Sequence, residues 1–228
     1  MIENYLKEVK QEFELYLERL FPIKKTPKPF EEIIKYALTN GGKRIRAILA
    51  ITIGRILDGK DENIFPIACA VELIHCYSLI HDDLPAMDDD EYRRGKLTVH
   101  KKFGEAMGIL AGDALLTHAF WLIASKTEDK SIVSPLVEIL SWYAGLGGMV
   151  SGQVADIMAQ ENNDPEAILG READNKKLLK YIHDNKTAAL IIAACKGGAV
   201  AAKADKKILE KFSIYASHIG LAFQVMDD

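Results

Sequence analysis

Apolar residues recur at intervals of three and four along most of the chain. The first such run contains Tyr5, Val9, Phe13, Tyr16 and Leu20. Residues with this spacing lie on one face of a helix with 3.6 residues per turn. Alternating apolar and polar runs, which are typical of strands, are nearly absent. The pattern therefore predicts an all-α protein.

Proline and glycine residues mark the predicted helix boundaries. A first helix is expected over residues 2–20, and the prolines that follow exclude its continuation. Further helices are predicted over 30–40, 43–57, 63–84, 105–125, 132–145, 147–160, 175–184, 186–202 and from 206 onward. Because no repeat or flexible linker interrupts the series, we expect one domain, a single bundle of about ten helices.

Composition limits the classes of partner. The chain has 228 residues, of which 49% are hydrophobic, so it can bury a core without disulfides. Its 29 Lys and Arg residues face 33 Asp and Glu residues, and the net charge is -4. This balance does not favour nucleic acid as a partner, so any anion must be bound by a local cluster of cations.

Cysteine usage and hydropathy predict the compartment. The three cysteines have no metal-ligand spacing, and their odd number fits a reducing environment. The first ten residues are rich in Glu and Lys, and the most apolar stretch, 109–124, is broken by Asp113 and His118. We therefore expect a cytoplasmic protein without a membrane span.

The densest polar feature is an acidic segment over residues 82–91 that follows an apolar helix. Asp82 and Asp88 are six positions apart, so a straight helix would place them on different faces. Pro85 can break the helix and allow Asp88 to return towards Asp82. Two carboxylates without His or Cys partners suit Mg²⁺. For the other acids of the segment, a solvated acidic loop is the alternative interpretation.

Two basic segments are candidates for phosphate binding. Arg93 and Arg94 follow the acidic segment directly, and guanidinium groups bind phosphate oxygens in pairs. The segment 41–46 places two glycines before a basic helix start, where exposed N–H groups favour an anion. Surface salt bridges and a helix cap followed by basic surface residues are the structural alternatives.

Three further features carry weaker signals. The chain ends in an acid pair behind an apolar helix, as residues 79–83 also do, and two facing acid pairs could hold several Mg²⁺ ions. Lys186 and Thr187 lie at a predicted helix junction, and His75 lies about two turns before Asp82. A lysine extending over a core helix and a hydrogen-bonded core histidine are the alternatives.

Taken together, the motifs resemble those of the trans-isoprenyl diphosphate synthases, the family that includes farnesyl and geranylgeranyl diphosphate synthases. The segments that carry the resemblance are 41–46, 82–88 with 93–95, 112–116, 152–156, 186–187 and 223–228. The resemblance implies an all-α fold around a central hydrophobic cavity and usually a homodimer. It also implies Mg²⁺-dependent head-to-tail condensation of isopentenyl diphosphate with an allylic diphosphate.

The resemblance assigns roles to individual residues. It implies that Mg²⁺ is bound by Asp82, Asp88 and Asp227, with Asp83 supporting the cluster. It implies that the allylic diphosphate is bound by Arg93, Lys186, Thr187 and Gln224, of which the last three also stabilise the allylic cation. It implies that isopentenyl diphosphate is bound by Lys43, Arg46, His75 and Arg94. Ala47 replaces a proline that is common after the basic segment, and we expect this change to matter little.

Product length and completeness depend on two further observations. Tyr77 lies five residues before Asp82, about 7.5 Å along the helix axis, so its ring can form the floor of a product pocket. Together with the small Ser78 it resembles the farnesyl type, with a geranylgeranyl synthase as the alternative. In the family, the second acidic motif continues into further helices. The resemblance therefore implies that the domain, residues 1–228, lacks its C-terminal helices, and a catalytically weak partner subunit is a further alternative.

Other enzyme classes match less of the chain. Glu72 and His75 have the spacing of half of a di-iron carboxylate site, but the sequence contains no second such pair. His81 followed by Asp82 also occurs in metal-dependent phosphohydrolases, but the only upstream histidine is too close to lie on a separate ligand helix. Neither class explains the basic segments.

Overall fold

The protein is almost entirely helical in its computed structural model, which describes residues 2–21, 25–162 and 164–227, with the backbone alone at residues 221 and 223–227. The described residues form these α-helices: α1 (Ile2–Leu20), α2 (Lys28–Leu38), α3 (Ile45–Ile56), α4 (Asp61–Asp82), α5 (Val99–Phe103), α6 (Glu105–Lys126), α7 (Val133–Ala144), α8 (Met149–Glu161), α9 (Pro165–Leu169), α10 (Asn175–Ile182), α11 (Ala189–Ala201) and α12 (Lys206–Asp227). All but α5 and α9 match predicted helices within a few residues. The all-α prediction is confirmed.

Helix α4 runs through the centre of the bundle and packs against α3, α6 and α11. Its apolar residues do not form a single stripe, and buried side chains occur all around it, among them Ile64, Ile67, Leu73 and Ile74. A helix that is apolar on every side is expected in a core. The burial fixes α4 as a rigid support, and the candidate residues His75 and Asp82 lie towards its C-terminal end.

A two-stranded hairpin that the sequence did not predict follows the acidic segment. Strand β1 (Tyr92–Arg93) pairs antiparallel with β2 (Lys96–Leu97), and Arg93 lies opposite Lys96. Arg94 and Gly95 form the connection with φ angles of 54° and 77°. Positive φ at both central residues is typical of a type I′ turn, whose twist suits a tight hairpin. Strands of two residues are too short to show an alternating pattern.

The junction between α10 and α11 is a π-helical segment, His183–Ala188. The sequence predicted two separate helices that meet near residue 185, whereas the structure joins them without a break in the helical path. Helices α8 and α12 both pack against this segment. Lys186 and Thr187 both lie in this π-helical segment. Because π-helical turns occur frequently at functional sites, this position is consistent with a functional role for the two residues.

Three helical stretches are long and apolar enough to cross a membrane by length and composition alone, namely Asp61–Asp82, Glu105–Lys126 and Lys130–Glu161. The first contains the core helix α4, and 72% of its most apolar window is buried inside the protein. The burial accounts for its hydrophobicity without a bilayer. That the chain has no membrane span stays a prediction.

Candidate active site

The acidic segment turns back on itself directly after α4. The N–H of Asp88 donates to the carbonyl oxygen of Asp82 at 2.9 Å, and the N–H of Met87 donates to the carbonyl of Leu84 at 2.9 Å. Helix α4 ends at Asp82, three residues before Pro85. The predicted return of Asp88 towards Asp82 is therefore confirmed at the level of the backbone.

The electrostatics of this turn fit a divalent cation. Burial raises the pKa of Asp82 to about 6, Lys186 opposes the rise, and the neighbouring carboxylate of Asp88 adds to it. Asp82 is half-buried and Asp88 is exposed, and two neighbouring carboxylates supply the oxygen donors that Mg²⁺ prefers. In the described part of the chain, no group of three or more His, Cys, Asp or Glu residues could hold a metal ion. Mg²⁺ often takes only one or two protein carboxylates and completes its shell with water and phosphate oxygens.

Asp83 is oriented differently from the other acids. Only 3% of this residue is exposed, and its Oδ1 accepts a hydrogen bond of 2.5 Å from Nε of Arg93. Arg93 also lies 3.2 Å from Asp90. Burial raises the pKa of Asp83, and the Arg93 guanidinium opposes that rise. The carboxylate of Asp83 is thus paired with the Arg93 guanidinium, which it can orient. This contact differs from a role as a direct metal ligand.

A basic cavity of about 750 Å³ lies beside α4, on the side of the segment 41–46. Its lining brings together five of the eight residues that the sequence predicted to bind substrate, and adds one lysine. These residues are Lys43, Arg46, His75, Arg94, Thr187 and Lys96. The cavity therefore unites the start of α3, the middle of α4, the hairpin and the π-helical segment.

The diglycine turn allows Arg94 to reach the cavity. Nη1 of Arg94 donates to the carbonyl oxygen of Gly41 at 2.5 Å. A Cβ atom at Gly42, whose φ is +126°, would lie 2.6 Å from the same Nη1. Only glycine combines this backbone conformation with such a close approach. The group that approaches Gly42 closely is thus the Arg94 guanidinium, and the anion that the sequence predicts at this turn stays a prediction.

Arg44 is buried and supports the turn from below. One of its terminal nitrogens donates to the carbonyl oxygen of Leu38, and another lies 3.5 Å from Oε2 of Glu72. Glu72 is only 4% exposed, and its other oxygen accepts the N–H of Ala47 at 3.2 Å. A buried carboxylate with two partners of this kind fixes the backbone that carries the neighbouring cavity residues.

His75 faces the basic side of the cavity. Burial lowers its pKa well below the ordinary value, and the cations Arg46, Arg94, Arg44 and Arg93 lower it further. A neutral imidazole can donate one hydrogen bond to a phosphate oxygen without adding charge. The structure therefore places His75 in the cavity wall, where its lowered pKa favours the neutral imidazole.

The π-helical segment presents Lys186 towards α8. Nζ of Lys186 donates to Oδ2 of Asp156 at 2.5 Å. A Cβ atom at Gly152 would lie 2.2 Å from the backbone nitrogen of Lys186. Asp156 thus binds the Lys186 side chain, and Gly152 lets the backbone of Lys186 pack closely against α8. These two contacts bring the segments 152–156 and 186–187 together.

Helix α12 approaches this segment near its C-terminal end. A Cβ atom at Gly220 would lie 2.3 Å from Cβ of Ala188, so the two helices are in close contact one residue beyond Thr187. Gln224 follows about one turn later on α12. The side chains of Gln224 and Asp227 lie outside the described residues, and their assigned roles stay predictions.

The candidate chain-length residues lie on the buried part of α4. Tyr77 is 7% exposed, and its ring contacts that of His81 edge-on, with centroids 5.7 Å apart. Burial raises the pKa of Tyr77, and Asp82 raises it further. Ser78 donates its hydroxyl to the carbonyl oxygen of His75 at 3.0 Å. The ring of Tyr77 is therefore buried beside His81, and its role as the floor of a product pocket stays a prediction.

Sequence reasoning missed two residues of this constellation. Lys96 follows the arginine pair after one glycine, and the signal was the continuation of the basic run. Glu72 was considered only as a possible di-iron ligand, whereas the structure places its carboxylate against Arg44 and Ala47. No local pattern indicates that contact, because it joins residues 25 positions apart.

Comparisons with known proteins agree with this arrangement. Residues 27–228 match the family model described as polyprenyl synthetase. The chain is 43% identical to a farnesyl diphosphate synthase of Geobacillus stearothermophilus, covering 100% of this chain and 74% of the relative. It is 41% identical to a geranylgeranyl diphosphate synthase of Cyanophora paradoxa, covering 99% of this chain and 72% of the relative.

A solved structure extends the similarity to three dimensions. The apo crystal structure of an FPP/GFPP synthase from Zymomonas mobilis superposes with a TM-score of 0.90 at 34% identity. The match covers 100% of this chain and 81% of that one. The helical bundle described above is therefore shared over the whole length of the chain.

Proposed function

This chain belongs to the polyprenyl synthetase family, and on that premise we propose that it is a trans-prenyltransferase that forms farnesyl diphosphate. The proposed reaction joins isopentenyl diphosphate to dimethylallyl or geranyl diphosphate in the presence of Mg²⁺. The observation that carries the proposal is the presence of an acidic turn that suits Mg²⁺ and of a basic cavity that suits a diphosphate along one rigid helix. The acidic turn at Asp82 and the basic cavity at His75 are separated by seven residues of α4, about 10 Å along the axis.

We assign isopentenyl diphosphate to the basic cavity and the allylic diphosphate to the acidic turn. Lys43, Arg46 and Arg94 would bind the diphosphate of isopentenyl diphosphate, with neutral His75 as an additional donor. Arg93, held by Asp83, and Lys186 would bind the allylic diphosphate. Asp82 and Asp88 would hold Mg²⁺, which when bound neutralises charge on the departing diphosphate. Cations on both sides thus keep two anions close enough to react.

The chemical step follows from this arrangement. The allylic C–O bond breaks, and its electron pair leaves with the diphosphate. The double bond of isopentenyl diphosphate attacks the allylic cation, a new C–C bond forms, and the released diphosphate accepts the proton that is lost. The carbonyl oxygen of Lys186, the hydroxyl of Thr187 and the amide oxygen of Gln224 would direct their dipoles at the cation. The site would have to exclude water during this step, because water would otherwise capture the cation.

We propose the C15 product from Tyr77. Its buried ring, on α4 five residues before Asp82, would stop the growing hydrocarbon after two additions to a C5 primer. The relatives include both farnesyl and geranylgeranyl diphosphate synthases, so family membership alone supports either length. The proposed product length therefore rests on Tyr77 and not on family membership.

We propose a cytoplasmic homodimer as the working form. Helix α6 exposes large apolar side chains, including Leu110 at 49% and Trp121 at 50% exposure, beside a groove of about 1050 Å³ formed with α2. Exposed apolar patches of this kind mark protein contacts. Light scattering after size exclusion should give twice the mass of one chain. In Trp121→Glu, the measured mass should fall towards that of a single chain. A monomer for the unmodified chain would contradict this assignment.

The test of the function is incorporation of labelled isopentenyl diphosphate. The purified chain is incubated with dimethylallyl or geranyl diphosphate, with MgCl₂ or with EDTA, and the dephosphorylated products are separated by chromatography. We expect Mg²⁺-dependent farnesol, lost in Asp82→Asn. A C20 alcohol as the main product would favour the geranylgeranyl assignment. Folded chain that binds isopentenyl diphosphate but forms no product would favour a catalytically weak partner subunit and overturn the proposal.

A further inference from the structure

We propose that Lys96 is an additional binding residue for the diphosphate of isopentenyl diphosphate. The inference rests on the proposed function and names a residue that none of the recognised motifs includes. Lys96 lines the basic cavity together with Lys43, Arg46, His75 and Arg94. Its charge would therefore act on the same anion as theirs.

The hairpin holds Lys96 in a defined position. Lys96 pairs with Arg93 across the two strands, and the intervening turn has positive φ at Arg94 and Gly95. The next residue, Leu97, accepts the hydroxyl of Tyr36 on α2 at 2.7 Å through its carbonyl oxygen. The backbone at Lys96 is thus tied both to its partner strand and to the bundle.

The base of the hairpin is closed by further hydrogen bonds. The hydroxyl of Thr98 donates to the carbonyl oxygen of Asp90 at 2.8 Å, and the N–H of Thr98 donates to the carbonyl of Glu91 at 3.0 Å. Thr98 is 1% exposed. Because the segment on both sides of Lys96 is anchored, the lysine needs to order only its own side chain to reach a ligand.

Within the part of the chain that the structure describes, Lys96 has no carboxylate partner. Glu72 is the one carboxylate that lines the described cavity, and it faces Arg44 and the N–H of Ala47. Among the described residues, no Asp or Glu lies within ion-pair distance of Lys96, whereas the neighbouring Lys101 pairs with Glu91 at 2.5 Å. The excess positive charge on this wall is a feature that an anionic ligand would neutralise.

The register of the hairpin strengthens this inference. Arg93 and Lys96 lie directly opposite each other, and like charges at such positions are destabilising. Arg93 is neutralised by Asp83 and Asp90. The charge of Lys96 has no such compensation in the described chain, which is expected where a bound phosphate supplies it.

Steady-state kinetics with Lys96→Gln test the proposal. We expect the KM for isopentenyl diphosphate to rise roughly three- to tenfold, the contribution of one partly exposed charge-assisted contact. The KM for the allylic substrate and kcat should change less than twofold. Lys96→Arg should restore most of the affinity, and Lys96→Glu should weaken it further than the neutral variant.

Lys101→Gln is the matched control, because it removes the same charge from the neighbouring helix α5 but does not line the cavity. An equal rise in KM in this variant would show a general effect of charge and overturn the contact. An unchanged KM in an active Lys96→Gln enzyme would also overturn it, while leaving the proposed function intact. Loss of the proposed function itself would instead appear as no isopentenyl incorporation by the unmodified chain.

Discussion

The N–H of Ala47 donates to Oε1 of Glu72 at 3.2 Å and so links the first turn of α3 to the core helix α4. The first N–H groups of a helix have no partner within it. In α3, the N–H of Ile48 is bonded to the carbonyl of Arg44, whereas that of Ala47 uses a buried carboxylate 25 positions away. The contact holds the basic turn against α4, where His75 lies.

Ala47→Pro should lower the free energy of unfolding by about 1 kcal/mol. Proline has no N–H, so the variant loses a hydrogen bond to a charged acceptor, a contribution of about 1.5–3 kcal/mol. The lower entropy of the unfolded chain returns about 0.4–1 kcal/mol. Urea unfolding, monitored by circular dichroism, measures the difference. This effect is larger than expected from the sequence, where proline at this position is an ordinary family feature.

A double-mutant cycle identifies the cause of that loss. In a Glu72→Gln background, the acceptor is neutral and the bond is weaker, so Ala47→Pro should cost less than in the unmodified chain. An equal loss in both backgrounds would show that the contact is not responsible. Glu72→Gln alone should also destabilise the protein, because it removes the buried charged partner of Arg44 and, among the described residues, leaves only the partly exposed Glu14 at 3.8 Å as an ion-pair partner.

The helices could be predicted because each carries a long repeat of apolar positions. Helix α4 was expected over 63–84 and observed over Asp61–Asp82, and α6 was expected over 105–125 and observed over Glu105–Lys126. The hairpin could not be predicted, because two residues per strand carry no period. The same limit concealed Lys96, whose place on the cavity wall depends on that hairpin.

In the candidate site too, local features could be predicted from the sequence, whereas contacts between separate segments could not. The return of Asp88 towards Asp82 followed from the local effect of Pro85, and the spacing of His75 followed from helix geometry. The resemblance gave Asp83 a supporting role in the acidic cluster, and the structure adds that its carboxylate is buried against Arg93. Contacts between distant segments, such as this one, are decided by packing and leave no mark on spacing.

Gly152→Ala should reduce activity about tenfold or more. The added Cβ would lie 2.2 Å from the backbone nitrogen of Lys186, so α8 and the π-helical segment must separate. Overpacking of this kind costs about 1–3 kcal/mol of stability. The displacement also moves Lys186 and Thr187, and small misplacements of substrate-binding groups reduce rates strongly. Prenyl transfer and thermal unfolding of the same preparation measure the two effects.

Val154→Ala provides a control for Gly152→Ala. Val154 lies on the same helix but is 51% exposed, so its truncation should leave both activity and melting temperature nearly unchanged. Full activity in Gly152→Ala would contradict the close packing of α8 against Lys186.

His75 should make stability depend on pH. Burial and the neighbouring cations hold its pKa in the folded protein well below the ordinary value. Between that lowered pKa and about 6.5, the unfolded chain binds a proton at this position and the folded chain does not. The free energy of unfolding therefore falls as the pH is lowered through about 6.5, by at most about 1.4 kcal/mol per pH unit from this residue.

The measurement compares urea unfolding at pH 7.5 and pH 5.5. His75→Gln should lose less stability over this range than the unmodified chain, because glutamine does not titrate. Ser78→Ala alters the neighbouring hydroxyl on α4 without removing a titrating group and should keep the original pH dependence. Equal pH dependence in all three proteins would contradict a desolvated, neutral His75.

Tyr77→Ala should lengthen the product from C15 to C20. The ring is 7% exposed and lies on α4 five residues before Asp82, so its removal would open the space that the proposed floor blocks. The cavity will also cost stability, about 3–5 kcal/mol by analogy with other aromatic truncations, so thermal unfolding must confirm that the variant is folded. Tyr77→Phe keeps the ring and should retain the C15 product. If folded, active Tyr77→Ala still stops at C15, the ring is a core residue only, and the floor must lie on another helix.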